Sequence, residues 1–216
     1  MKKTFLILAI IVGTMMVSCE QKEEDNRNIG VKGNDVPTER ICVYEYVDLG
    51  LSVKWATCNV GADSPEDYGN YYAWGETCTK DSYEDDNCST YDVQLENISG
   101  NPEYDVARLY WGGTWRMPTE GEIRELKKDC DWTWTTRNGV KGYDVTGPNG
   151  GSIFLPAAGF SLSSSLCRAG NCGIYWSSSP YGRDYSSAYA LYTGRWLRFV
   201  SGYYRDYGRS IRPVME

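Results

Sequence analysis

The chain has 216 residues, of which 41% are hydrophobic and 24% are charged, and this composition is typical of a soluble globular protein. It contains no histidine, which excludes Ser-His-Asp and Cys-His catalysis, histidine zinc sites and imidazole pH switches. The formal net charge of -7 argues against nucleic acid as a partner. Tyr (18) and Trp (8) outnumber Phe (4), which favours aromatic rings that carry a polar group and lie at binding surfaces.

Residues 1–18 predict a secretory signal. Two lysines precede an apolar stretch over residues 4–17, which is short for a membrane span. The following sequence MVSC resembles the lipobox of bacterial lipoproteins, which implies cleavage before Cys19 and acylation of that cysteine. An ordinary signal peptide or an anchor helix is the alternative. Removing residues 1–18 takes away two lysines and no acid, so 20 basic and 29 acidic residues remain and the mature charge is -9.

Residues 19–40 predict an acylated cysteine followed by a flexible acidic linker, because they are polar and lack apolar periodicity. The acidic run EQKEED at residues 20–25 resembles the surface-export signal of some Gram-negative lipoproteins. The resemblance implies a lipid-anchored protein of the outer membrane, exposed on the cell surface. A solvated tether is the simpler interpretation of the same run.

Residues 41–216 predict one α+β domain. Two strands are expected over residues 43–49 and 53–57, followed by a long loop and a short helix over residues 101–111 with Asn101 as N-cap and Pro102 at N1. Thr119 and Glu122 predict a capping box for a second helix, in which Ile123, Leu126 and Cys130 share one face. A meander follows over residues 132–136, 141–146 and 152–155, and further strands are expected at residues 174–178, 188–193 and 196–200.

Seven cysteines remain after Cys19, so at least one thiol is unpaired. Cys78 and Cys88 bracket a polar segment, and Cys167 and Cys172 bracket a tight loop, so both are predicted disulfides. Cys58 and Cys130 are the expected long-range pair, which leaves Cys42 as the odd thiol. A metal site is disfavoured because the chain has neither a CxxC pair nor a histidine, and no cofactor is predicted.

Five blocks in order carry a family resemblance. They are residues 46–61 (YVDLGLSVKWATCNVG), 111–119 (WGGTWRMPT), 155–159 (LPAAG), 175–179 (YWSSS) and 210–214 (SIRPV). Together they resemble the FISUMP, or major paralogous, domain of bacterial surface lipoproteins. The resemblance implies a C-type lectin-like fold, with two helices, antiparallel strands, long loops on one side, and paired N- and C-terminal strands.

The sequence lacks the residues required for two more specific activities, formylglycine generation and calcium-dependent sugar binding. The segment over residues 115–120 is similar to one in formylglycine-generating enzymes, but the copper-binding cysteine pair near the C-terminus of those enzymes has no counterpart after Cys172. Arg116 and Glu120 are therefore interpreted as groups that hold the entrance of the second helix. Calcium-dependent sugar binding is disfavoured, since the Glu-Pro-Asn and Gln-Pro-Asp triplets are missing. We therefore expect no enzymatic activity.

The predicted binding surface combines tyrosine, tryptophan and arginine side chains, which anchor many interfaces. Its members are Arg183, Tyr185, Trp196, Tyr204, Arg205 and Tyr207. The alternative is that these tyrosines only cover the sheet. The predicted function is a surface-anchored, non-catalytic binding or adhesion module for a carbohydrate or protein ligand. The alternative function is a structural or assembly component of a surface appendage or glycan-capture complex.

Overall fold

The computed structural model describes residues 44–216, and the predicted signal peptide, Cys19, the linker and Cys42 lie outside them. The described residues form an α+β structure with eleven short strands and two α-helices. In chain order these are β1 (Tyr46–Val47), β2 (Lys54–Ala56), α1 (Val106–Trp111), α2 (Glu120–Asp129), β3 (Asp131–Arg137), β4 (Val140–Thr146), β5 (Ser152–Pro156), β6 (Phe160–Leu162), β7 (Ser165–Cys167), β8 (Cys172–Pro180), β9 (Ser187–Gly194), β10 (Leu197–Tyr204) and β11 (Val214–Met215).

The strands form three three-stranded sheets and one hairpin. The predicted meander is confirmed as the antiparallel sheet β3-β4-β5, and β8, β9 and β10 form a second antiparallel sheet. In the third sheet, β2 lies between β1 and β11, so the strands near the two ends of the domain are paired as expected. The β6-β7 hairpin was missed by the sequence analysis, because its strands have only three residues each.

The sheet β8-β9-β10 separates two hydrophobic cores, because alternate residues of a strand point to opposite faces. Tyr175 and Leu191 pack into the first core, under α2 and the β4-β5 strands. Trp176 and Ala190 point the other way, into the second core beside α1. Both cores lie within residues 47–214, inside a compact unit that spans residues 40–216. The domain therefore contains its own complete hydrophobic interior.

Helix α2 begins as predicted. The Thr119 hydroxyl accepts the amide of Glu122 and the Glu122 carboxylate accepts the amide of Thr119, which completes the capping box. The Arg116 guanidinium does hold the helix entrance, but through two bonds to Glu122, at 2.9 and 2.7 Å. The Glu120 side chain does not hold the entrance as predicted, because its carboxylate pairs with Arg124 one turn along the helix.

Helix α1 begins four residues later than predicted. Its N-cap is Asp105, whose buried carboxylate accepts the amides of Ala107 and Arg108 at 3.0 and 3.1 Å. The side chain of Asn101 accepts the amide of Glu103 instead, so that segment forms a turn. Asp105 caps the helix in place of Asn101, because its carboxylate also accepts the amides of Gly100 and Met117 from neighbouring segments.

The predicted disulfides are wrong. Cys78 is disulfide-bonded, but Cys88 is a free thiol, buried 3.6 Å from the Thr90 hydroxyl. The other free thiols are Cys58, Cys130, Cys167 and Cys172. Cys130 packs into the first core and Cys172 into the second, whereas Cys58 and Cys167 are only partly buried. In the predicted pairs Cys58–Cys130 and Cys167–Cys172, one thiol thus packs into a hydrophobic core while the other is only partly buried.

Candidate functional site

The predicted aromatic surface does not form one platform. Trp196 lies in the turn before β10 and is 85% exposed, which shows that it is not a core residue. Tyr204 is 55% exposed at the other end of β10. Eight residues of extended chain separate them, a span of about 25 Å. A small ligand cannot contact both rings.

Tyr207 and Arg205 have structural roles. The Tyr207 ring is half-buried, stacks on Phe160 at 5.9 Å between ring centres, and has the Arg209 guanidinium 5.1 Å from its centre. Arg205 is fully buried, with its guanidinium 4.2 Å from the centre of the Trp74 ring. The prediction that Arg205 contacts a ligand is therefore wrong.

Arg183 and Tyr185 do lie together, in the wall of an open groove of about 320 Å³. One wall consists of Gln94, Leu95 and Glu96, and the other of Pro180, Gly182, Arg183 and Tyr185. The two walls come from segments almost ninety residues apart in the sequence. We refer to this feature as the 94–185 groove.

The wall that carries Arg183 and Tyr185 is a tight turn between β8 and β9. The Asp184 carboxylate accepts the hydroxyl and the amide of Ser186 at 2.6 and 3.0 Å. These two bonds lower the pKa of Asp184, the hydroxyl having the larger effect. The backbone of Ser187 donates to Asp184, and the backbone of Tyr181 donates to Ser187, which closes the turn. The turn therefore presents Arg183 and Tyr185 from a fixed backbone.

The opposite wall is held at both ends. On the C-terminal side of residues 94–96, the Ile98 amide donates to the Ser178 carbonyl of β8 at 3.0 Å. On their N-terminal side, the Arg205 guanidinium donates to the carbonyls of Thr90 and Val93 at 3.0 and 2.8 Å. Residues 94–96 thus lie between two fixed points.

Arg205 joins the two walls of the groove. Besides its bonds to Thr90 and Val93, just before one wall, its Nε donates to the Ser187 carbonyl at 3.1 Å and its backbone amide donates to the Ser186 carbonyl at 2.9 Å, just after the other wall. Burial lowers the pKa of Arg205, because the charged form loses contact with water. A buried cation with several directed donors fixes the spacing between two loops that share no strand pairing.

The groove combines groups that recognise polar ligands. Glu96 offers carboxylate acceptors, Gln94 an amide, Arg183 a forked donor, and Tyr185 an aromatic face that is 41% exposed. Sites of this kind fix a ligand through a few polar contacts and one apolar surface. The sequence analysis missed Gln94 and Glu96, because no motif marks them within the long loop.

Residues 44–216 hold no group of three or more acidic or cysteine side chains arranged to ligate a metal ion. No helix in this part of the chain is both long and apolar enough to span a membrane. No protein-family model, curated protein or solved structure matches the chain.

Proposed function

We propose that the chain is a surface-anchored, non-catalytic binding or adhesion module, and that its glycan or protein ligand occupies the 94–185 groove. The observation that carries the proposal is the joining of both groove walls by the buried Arg205. A groove whose walls are fixed before the ligand arrives loses little entropy on binding. Two of the six predicted binding residues, Arg183 and Tyr185, line it.

We also propose that the fold is C-type lectin-like. The order of the five sequence blocks supports this assignment, and the two helices, the antiparallel sheets and the pairing of β11 with β2 are compatible with it. The proposed anchor is the acylated Cys19, which would hold the domain at the outer membrane. Its support is the MVSC sequence at the end of the apolar N-terminal stretch.

A glycan array tests the ligand class. The protein is prepared from residue 20 onward, which removes the predicted signal and acylation site but keeps the whole compact unit. If a glycan binds, Tyr185→Ala should weaken binding by about 1 to 3 kcal/mol, as expected when a central aromatic contact is lost. Trp196→Ala is the matched control, since this exposed aromatic lies at the other end of the sheet.

Three outcomes separate the alternatives. Binding that is lost in Tyr185→Ala and kept in Trp196→Ala supports the groove as the glycan site. An array without any binder favours a protein ligand or the assembly function, and cross-linking on intact cells then identifies the partner. A glycan that binds both variants as tightly as the unaltered protein contradicts the groove assignment.

A further inference from the structure

The turn between β9 and β10 exposes two adjacent apolar side chains. Gly194 pairs with Leu197, so Arg195 and Trp196 form a two-residue hairpin turn. Trp196 is 85% exposed and Leu197 is 58% exposed, which are the two largest exposures among the big apolar side chains of the described residues. We refer to residues 195–198 as the hairpin tip.

The hairpin tip is held by the body of the domain. The Tyr143 hydroxyl lies 2.9 Å from the Gly194 carbonyl oxygen and 3.0 Å from that of Arg195. Arg198 donates to the same hydroxyl at 3.0 Å, and its guanidinium lies over the Trp132 ring at 5.3 Å. These contacts fix the base of the turn, so the exposed side chains are presented by a rigid backbone.

The hairpin tip is positively charged within an acidic protein. Arg195 is exposed and stacks on Trp196 at 4.6 Å, and neither Arg195 nor Arg198 has a carboxylate partner among the described residues. The sequence between Tyr185 and Arg205 contains no acid, so the nearest acids along this hairpin lie at its far end. Charges separated by more than about 8 Å are largely screened at physiological ionic strength. Along this hairpin, an approaching surface therefore meets the two arginines before any carboxylate.

We propose that the hairpin tip docks the domain on an anionic lipid bilayer. Trp196 and Leu197 would enter the headgroup region while Arg195 and Arg198 contact lipid phosphates, since tryptophan favours the membrane interface and arginine is attracted to anionic headgroups. Two apolar side chains are too few for a stable protein interface, which buries roughly 1,200 Å² or more in total. Docking on a bilayer requires only that these two side chains enter the headgroup region. This inference does not depend on the ligand of the 94–185 groove.

Vesicle co-sedimentation tests the proposal with the protein from residue 20 onward, so that no acyl chain contributes. Vesicles of equal parts phosphatidylglycerol and phosphatidylcholine should bind the protein, and pure phosphatidylcholine should bind it less. Trp196→Ala should lower binding by about tenfold, as expected when a large apolar side chain no longer leaves water on binding. Arg195→Gln should lower binding to the anionic vesicles by about fivefold, as expected for one arginine near an anionic surface. Tyr185→Ala, an exposed aromatic at the other end of the sheet, should bind as the unaltered protein does.

Several results would overturn the proposal. They are the absence of binding to the anionic vesicles, equal binding by Trp196→Ala, and equal binding to both vesicle types. A dimer in sedimentation that Trp196→Ala abolishes, without vesicle binding, would show instead that the tip contacts a second copy of the chain. The Trp196→Ala variant should fold, because the Trp196 side chain is mostly in water. An unchanged melting temperature of this variant would confirm that it folds. Vesicle binding should also shift the tryptophan emission to the blue, and this shift should disappear in Trp196→Ala.

Discussion

Replacing Arg205 by methionine tests whether this residue joins the two walls of the groove. Methionine keeps an unbranched aliphatic side chain but removes the guanidinium, which lies over the Trp74 ring. The carbonyls of Thr90, Val93 and Ser187 then lose their donor, and all three lie at the ends of the groove walls. Both stability and ligand affinity should therefore decrease.

The magnitude follows from two opposing contributions. Each of the three lost bonds involves a charged donor and contributes about 1.5 to 3 kcal/mol. Removing the buried charge offsets part of this loss, because desolvating an ion costs several kcal/mol. The net loss in the free energy of unfolding is about 2 to 4 kcal/mol. For a domain of this size it corresponds to a melting temperature lower by roughly 4 to 16 °C.

Calorimetry measures the stability change, and the matched control is Arg183→Met. Arg183 is an exposed arginine in the same groove, so its replacement should change the free energy of unfolding by less than about 0.5 kcal/mol. Any ligand found for the groove should bind Arg205→Met more weakly even at temperatures at which this variant is folded. A melting temperature of Arg205→Met within about 2 °C of the unaltered protein would refute the proposed role.

Three further predictions concern the anchor, the thiols and the dependence of stability on pH. Cys19→Ala should abolish labelling by a fatty-acid analogue, and undiminished labelling would contradict the lipoprotein assignment. Non-reducing peptide mapping should find Cys78 in a disulfide and Cys88 as a free thiol, so a peptide that links the two contradicts the structure. Burial raises the pKa of Glu122, but the hydrogen bonds and charge of Arg116 and the hydrogen bonds from Thr119 together outweigh it and lower the pKa below its ordinary value of 4.5. Glu122 therefore stabilises the fold above that value and loses this contribution as the pH falls through its folded pKa, so unfolding of Glu122→Gln should depend less steeply on acid pH. Parallel stability curves would exclude this contribution.

The elements that the sequence predicted well are specified by nearby residues. Helix α2 begins at its capping box because Thr119 and Glu122 are three residues apart and satisfy each other's backbone amides. The β3-β4 turn follows from Asn138 and Gly139, both of which have a positive φ. Such signals require no knowledge of the rest of the fold.

The groove and the thiol environments depend on long-range packing. Sequence spacing suggested that Cys167 and Cys172 close a loop, yet alternation along β8 directs Cys172 into the second core. In the same way, Tyr204 and Arg205 are neighbours in sequence, but one is exposed and the other is fully buried. Only the pairing of β9 with β10 decides which side chain faces water. Residue type alone therefore predicted more binding residues than the structure brings together in one site.

The separation of the predicted aromatic residues has a geometric consequence for both proposals. The hairpin tip connects β9 to β10, and the 94–185 groove borders the connection from β8 to β9. Antiparallel strands place these two connections at opposite ends of the sheet, about 25 Å apart. A domain docked through Trp196 would thus direct the groove away from the bilayer, toward ligands in the surrounding medium. Since the two sites share no residue, Tyr185→Ala should weaken only the binding of the groove ligand, and Trp196→Ala should weaken only the binding to vesicles.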